Sequence, residues 1–262
     1  MTRSLEESPG SGRLILGLAS LHHFWSPSTR QRYLNEAMDL GFRDFDVAPS
    51  YGNGLNEREL GVAIRTGRDK VSVATKFGVV APMYGALSRA MFYPFRLVDR
   101  VIPGYRSRND QRDYSVANLR SSIEGSLRRM KTDYVDYLLL HEPPEAKVSA
   151  LLADVRAEIE SLKSAGKIRT FGLATDYLPS GATADAAALE LLQMPLNSLL
   201  ASTLPEKVRC RAYFLYRSYR NSGSTLTYEA FVKSMRLQHP SLDLLVSSRS
   251  MARLEALIRE LQ

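Results

Sequence analysis

Eight short apolar, strand-like runs recur along the 262-residue chain, most of them separated by segments with helical spacing. No other feature narrows the fold as far. The runs are RLILGL (13–18), FRDFDVA (42–48), KVSVATKFG (70–78), DYVDYLLLH (133–141), IRTFGLAT (168–175), QMPLNSLL (193–200), RCRAYFLY (209–216) and LDLLVSS (242–248). Helices are predicted over 28–40, 56–67, 115–131, 150–166, 183–192, 227–238 and 250–261. Ser28 and Gly41 bracket the first of these as start and stop signals. In the third, Val116, Leu119, Ile123 and Leu127 recur near the helical repeat. Alternating strands and helices imply a parallel sheet. Eight strands in one chain without a Gly/Ser/Pro-rich linker predict a closed (β/α)8 TIM barrel, a single domain over 1–262. The rival, an open doubly wound sheet, would carry a G-x-G-x-x-G turn after its first strand, and none is present.

Composition removes several functions. Cys210 is the one cysteine, so no internal disulfide forms, and no His/Cys cluster has metal-ligand spacing; no metal is expected. The opening MTRSLEESPGSG is polar and lacks the apolar stretch of a signal peptide. No run approaches the roughly 18 apolar residues of a membrane span. A cytoplasmic location is therefore expected. The balance of 35 Lys+Arg against 28 Asp+Glu gives a net charge of +7, too modest to predict a nucleic-acid partner. A small-molecule partner is expected instead, with the oligomeric state left open.

In a barrel, chemistry gathers at the C-terminal ends of the strands. Strand two ends in FDVAPSYG, placing Asp46 in its tip and Tyr51 in the following loop. Strand three ends in ATKFG with Lys76, and strand four in LLLHEPP with His141. Burying Asp46 and Lys76 is costly unless they pair, and neighbouring strands allow that pairing. An ammonium beside a phenol favours the phenolate, so Lys76 is expected to lower the Tyr51 pKa and make it a proton donor.

The runs DFDVAPSYGNGLNERELG, ATKFG, DYVDYLLLHEPP and SAGKIRTFGLATD resemble the aldo-keto reductase family. The resemblance implies a nicotinamide-dependent carbonyl oxidoreductase on a (β/α)8 barrel. It assigns Tyr51 as proton donor, Lys76 as its tuner, Asp46 as the partner of Lys76, and His141 as the group orienting the carbonyl oxygen. It also implies that Thr175 and Gln193 lie where the family holds the nicotinamide carboxamide, although Ala174 and Thr175 replace its usual Ser-Asn pair. Tyr213 falls where an aromatic ring stacks on the nicotinamide. Ser248 and Arg253 match residues that bind the adenosine 2′-phosphate, Ser247 replaces a Lys, and Arg249 offers a substitute cation. NADPH is the expected cofactor, with NADH as the other form the site could take. The substrate implied is an aldehyde, ketone or sugar-like carbonyl, or the matching alcohol. Two alternatives stay open: a weakly active or inactive cofactor-binding regulatory barrel, and a barrel enzyme that forms a Schiff base on Lys76.

Residues 79–113 exceed what a strand-to-helix connection needs and read as a long insertion after strand three, expected to serve as a lid at the barrel mouth. Only twelve residues follow Ser250, so the C-terminus is short. The positive charge is uneven: six Arg face three Asp in 79–113, and nine Lys+Arg face four acids in 209–262. A phosphorylated dinucleotide suits that distribution.

Overall fold

The computed structural model describes residues 12–80, 92–101, 111–178, 189–203 and 208–262. Eight parallel strands close a barrel in chain order: β1 (Leu14–Gly17), β2 (Asp44–Asp46), β3 (Ser72–Phe77), β4 (Val135–His141), β5 (Ile168–Ala174), β6 (Leu191–Pro195), β7 (Arg209–Tyr213) and β8 (Asp243–Val246). Register brings Asp44, Phe45 and Asp46 of β2 opposite Ser72, Val73 and Ala74 of β3. Lys76 lies opposite Leu139 of β4, and His141 opposite Ala174 of β5. Side chains alternate across each strand. One set faces the helices and builds the main core, including Phe45, Val73, Leu138, Leu140 and Leu173. The other set fills the barrel: Ala74, Tyr137, Leu139, Ala174 and Leu191 pack together there. Above them, toward the C-terminal ends, the inward positions turn polar.

The outer helices are α1 (Pro27–Asp39), α2 (Leu55–Ala63), α3 (Phe92–Val101), α4 (Val116–Met130), α5 (Val148–Ser164), α6 (Leu196–Leu200), α7 (Leu215–Asn221), α8 (Tyr228–Gln238) and α9 (Met251–Leu261). Side-chain caps fix several starts. Ser26 accepts the Thr29 N–H at 3.0 Å at the head of α1, with Pro27 in its first turn. Ser115 does the same for Asn118 at α4, at 3.2 Å. Buried Glu57 accepts Thr75 Oγ1 at 2.7 Å and Arg129 Nε at 2.5 Å, tying α2 to both α4 and the strand that carries Lys76. Among the described residues no helix is long and apolar enough to cross a membrane.

Three sequence expectations differ from the structure. The predicted strand 193–200 stops at Pro195, and Leu196–Leu200 is helical, burying Leu196 and Leu199 on one face. The predicted strand 209–216 stops at Tyr213, because Phe214 adopts φ 58° and the chain enters α7. The predicted helix 183–192 lies mostly outside the described residues, and its last two residues belong to β6.

Of the insertion, the described parts are its two ends and α3. The ends form an antiparallel bridge between Val79 and Arg112. Phe92 of α3 is buried beside Leu55, and the Tyr93 hydroxyl donates to Phe24 O at 2.6 Å. The rest of 79–113 lies outside the described residues.

Candidate active site

The loop after β2 sets the position of Tyr51. Gly52, Asn53 and Gly54 all adopt left-handed conformations, with φ of 59°, 51° and 87°. Glycine is required at the first: a Cβ on Gly52 would lie 2.7 Å from Asn56 Oδ1 and 2.8 Å from His22 Cβ. Asn56 in turn donates to Leu18 O at 2.7 Å, anchoring the loop to the end of β1. This tight turn reverses the chain and aims Tyr51 back over the barrel mouth.

There a cavity of about 790 Å³ opens. Asp46, Tyr51, Lys76 and His141 all line it, so the four residues picked from the strand ends come together. The Lys76 ammonium donates to Asp46 Oδ1 at 2.5 Å and to Val47 O at 3.1 Å. It sits 4.8 Å from the centre of the Tyr51 ring, and His141 meets that ring edge-on at 6.2 Å. Burial pulls the Lys76 pKa down, but Asp46 and Tyr51 outweigh it and hold the lysine above its ordinary value. His141 falls well below its ordinary range through burial and the cations Lys76 and Arg112, so it is a neutral imidazole at pH 7. Tyr51 corrects an expectation. Lys76 does pull its phenol down, yet burial dominates and leaves it above the ordinary value, as the neutral acid.

The expected cofactor residues divide. Gln193, Tyr213 and Ser247 line the cavity. Thr175 is buried and is not among the described lining residues. Its hydroxyl lies 3.5 Å from the Tyr177 amide N–H, and its carbonyl accepts the Tyr213 hydroxyl at 3.1 Å. Ala174, one position earlier, faces the cavity in its place. Ser248 Oγ accepts the Ser250 N–H at 3.0 Å at the head of α9, where Arg249 and Arg253 are exposed. None of the described insertion residues lines the cavity. Arg112 instead contacts its rim, pairing with Glu142 at 2.8 Å.

Several cavity residues escaped the sequence reading. Glu142 follows His141 with φ 49°, and its carboxylate stands 4.0 Å from His141 Nε2. Asp176 and Tyr228 also line the space, and Phe214 and Tyr216, the aromatics that follow Tyr213 in the sequence, join them to give one wall an aromatic face. Arg211, on β7, is buried beneath the floor. The inward alternation of Arg209 and Arg211 across Cys210 was the available signal.

A parallel eight-stranded barrel with a buried Lys–Asp pair, a tyrosine and a neutral histidine at its C-terminal mouth is the architecture of a barrel oxidoreductase family. Residues 13–191 match the model of the aldo/keto reductase family, and the chain belongs to it. It is 27% identical over 179 residues to D-threo-aldose 1-dehydrogenase of a Pseudomonas species, covering 63% of this chain and 49% of that protein. It is 29% identical over 143 residues to L-galactose dehydrogenase of Arabidopsis thaliana, covering 53% of this chain and 36% of that protein. The chain thus spans about half or less of the length of these two curated relatives. Aldo-keto reductase AKR11C1 from Bacillus halodurans, in its holo form, shares the fold at TM-score 0.69 and 19% identity, over 99% of this chain and 90% of that one.

Proposed function

We propose that the protein is an NADP(H)-dependent oxidoreductase that interconverts a carbonyl, in an aldehyde, ketone or sugar-like substrate, and its alcohol. The observation that carries this reading is the Lys76–Asp46 pair at 2.5 Å, set against the Tyr51 ring inside one cavity with a neutral His141. The cavity fits the nicotinamide end of a dinucleotide. It holds the amide of Gln193 and the ring of Tyr213, and the exposed Arg249 and Arg253 at the head of α9 are suited to a phosphate. A bound reduced nicotinamide supplies the hydride. The chain supplies the rest. Neutral His141 donates one N–H to the carbonyl oxygen and fixes its direction. Tyr51 delivers the proton from its hydroxyl as negative charge develops on that oxygen. Lys76, held protonated by Asp46, stabilises the phenolate left behind. In alcohol oxidation the same groups run in reverse, with Tyr51 as base.

Names of relatives support the nicotinamide and sugar elements of this reading. An NADH-specific methylglyoxal reductase of Escherichia coli is 30% identical over 140 residues, and a 6-dehydroglucose reductase of Agrobacterium fabrum is 29% identical over 151. The protonation of Lys76 argues against a Schiff base, which needs the free amine. The test is turnover: purified protein with NADPH or NADH and a panel of aldehydes, ketones and aldoses, followed by nicotinamide absorbance. Consumption with NADPH preferred is expected. Tight nicotinamide binding without turnover on the whole panel would favour the regulatory reading, and no binding of either nicotinamide would overturn both.

A further inference from the structure

At the waist of the barrel, beneath the cavity floor, β7 turns a guanidinium inward. Arg211 is 1% exposed, with Gln193 of β6 and Asp243 of β8 as its register neighbours. A buried cation is costly unless compensated, so its partners matter. Its Nε stands 3.8 Å from Asp243 Oδ2 and makes no hydrogen bond. Asp243 is already committed, bidentate to Arg209 at 2.7 and 2.8 Å, and it also accepts the Arg13 N–H at 2.9 Å. Arg211 Nη1 lies 3.8 Å from Asp46 Oδ2, a buried oxygen with no hydrogen bond of its own. The same Nη1 donates to Gln193 Oε1 at 3.4 Å. The Tyr137 ring, 4.8 Å from the guanidinium carbon, closes the lower side.

Two consequences follow from chemistry alone. Asp46 sits between two cations, Lys76 at 2.5 Å and Arg211 at 3.8 Å, so its charge is shared and neutralises Lys76 less completely. Arginine also has donors only, so Gln193 must present its oxygen to Arg211 and turn its NH2 toward the cavity.

We propose that Arg211 is a positioning residue for the carbonyl–alcohol reaction: it divides Asp46 between two cations, so that the charge of Lys76 acts on Tyr51, and it fixes the orientation of the Gln193 amide. The inference rests on the function proposed above and extends it to a residue that touches neither substrate nor cofactor. The charged and titratable groups around the device are consistent with it. Tyr51 is faced by Lys76, Asp46, His141 and Glu142. Arg211 is faced by Asp46, Asp243 and Tyr137, and by Asp44, whose carboxyl it pulls downward against the burial that raises it.

The test uses the full chain with three substitutions, Arg211→Met, Arg211→Gln and Arg211→Lys, each checked for folding by thermal melting. The readout is the pH dependence of kcat for alcohol oxidation, where Tyr51 must lose its proton. Removing the buried cation disfavours the phenolate, so the rising limb should move up by about one pH unit in the Met and Gln variants. The Lys variant, which keeps a charge there, should restore it. Gln can still donate to Gln193, so the KM for nicotinamide should rise several-fold in the Met variant and less in the Gln variant. A folded Met or Gln variant whose limb stays with the wild type overturns the inference and leaves Arg211 a role in stability alone. Absence of turnover by the wild type across the panel overturns the function proposed above, and this inference with it.

Discussion

At the N-terminal end of the barrel, carboxylates such as Asp136 and Asp243 use both oxygens in close contacts with cations, whereas at the C-terminal end Asp46 closes on Lys76 with one oxygen only. Asp136 takes Arg68 and Arg169 at 2.8 Å each and also accepts the Val73 N–H at 2.9 Å. Asp243 is held bidentate by Arg209, and Arg13 meets Asp44 at 3.1 Å. At the other end Asp46 leaves one oxygen without a hydrogen bond, and His141 comes no nearer than 4.0 Å to the Glu142 carboxylate. The same residue types are in use at both ends. Closed pairs lock the strands together. At the mouth, the half-engaged Asp46 leaves the Lys76 charge, the Tyr51 phenol and a neutral His141 beside one cavity, which fits the division of labour barrels show between their two faces.

Substitutions at the two ends should therefore fail differently. The largest effect is expected from Lys76→Met, which strikes both chemistry and packing. Its kcat/KM should fall about 10³-fold, and the fold should lose about 3 kcal/mol because Asp46 is left buried with only Arg211 nearby. A Lys76→Met protein with near-normal turnover would remove the lysine from the reaction. Asp136→Ala, at the closed end, should cost less, about 2 kcal/mol in a urea titration, since it leaves the Val73 amide and the largely buried Arg68 without their shared acceptor while the exposed Arg169 turns to solvent. Its kcat/KM measured well below the melting temperature should stay at the wild-type level; lost activity with stability intact would contradict the contrast. The smallest effect belongs to Arg253→Ala on the exposed start of α9. It should weaken NADPH binding by a few-fold and leave NADH unaffected, as an exposed ion pair contributes about 1 kcal/mol or less. Equal weakening of both nicotinamides would show that Arg253 does not meet the phosphate.

Much of this was legible in the sequence, for identifiable reasons. Eight apolar runs separated by capped helices leave few arrangements besides a closed barrel, and the strand tips directly expose Asp46, Lys76 and His141. Boundaries were harder. The run 196–200 is as apolar as a strand, and only the buried pair Leu196 and Leu199 marks it as a helix. Phe214 ends β7 by adopting a left-handed conformation, which no rule predicts for a bulky side chain. Thr175 was expected at the cavity, but Ala174 occupies the inward position one residue earlier. Arg211 was missed because an arginine between Cys210 and Ala212 suggests an exposed position. Arg211 lies inside the barrel, beyond the half-buried start of β7, so its guanidinium is buried and must be compensated.

The central claim is that Tyr51, kept protonated by burial beside Lys76, supplies the proton in carbonyl reduction. Its phenol lies above the ordinary value of 10.0, so it remains the acid throughout the neutral range. The most direct measurement is kcat for carbonyl reduction against pH, in the wild type and in Tyr51→Phe. The wild-type rate should stay flat through neutral pH and fall only above about pH 10, while Tyr51→Phe should lose about 10³-fold in rate and lose that alkaline fall. A Tyr51→Phe enzyme that keeps the wild-type rate and pH profile would contradict the account.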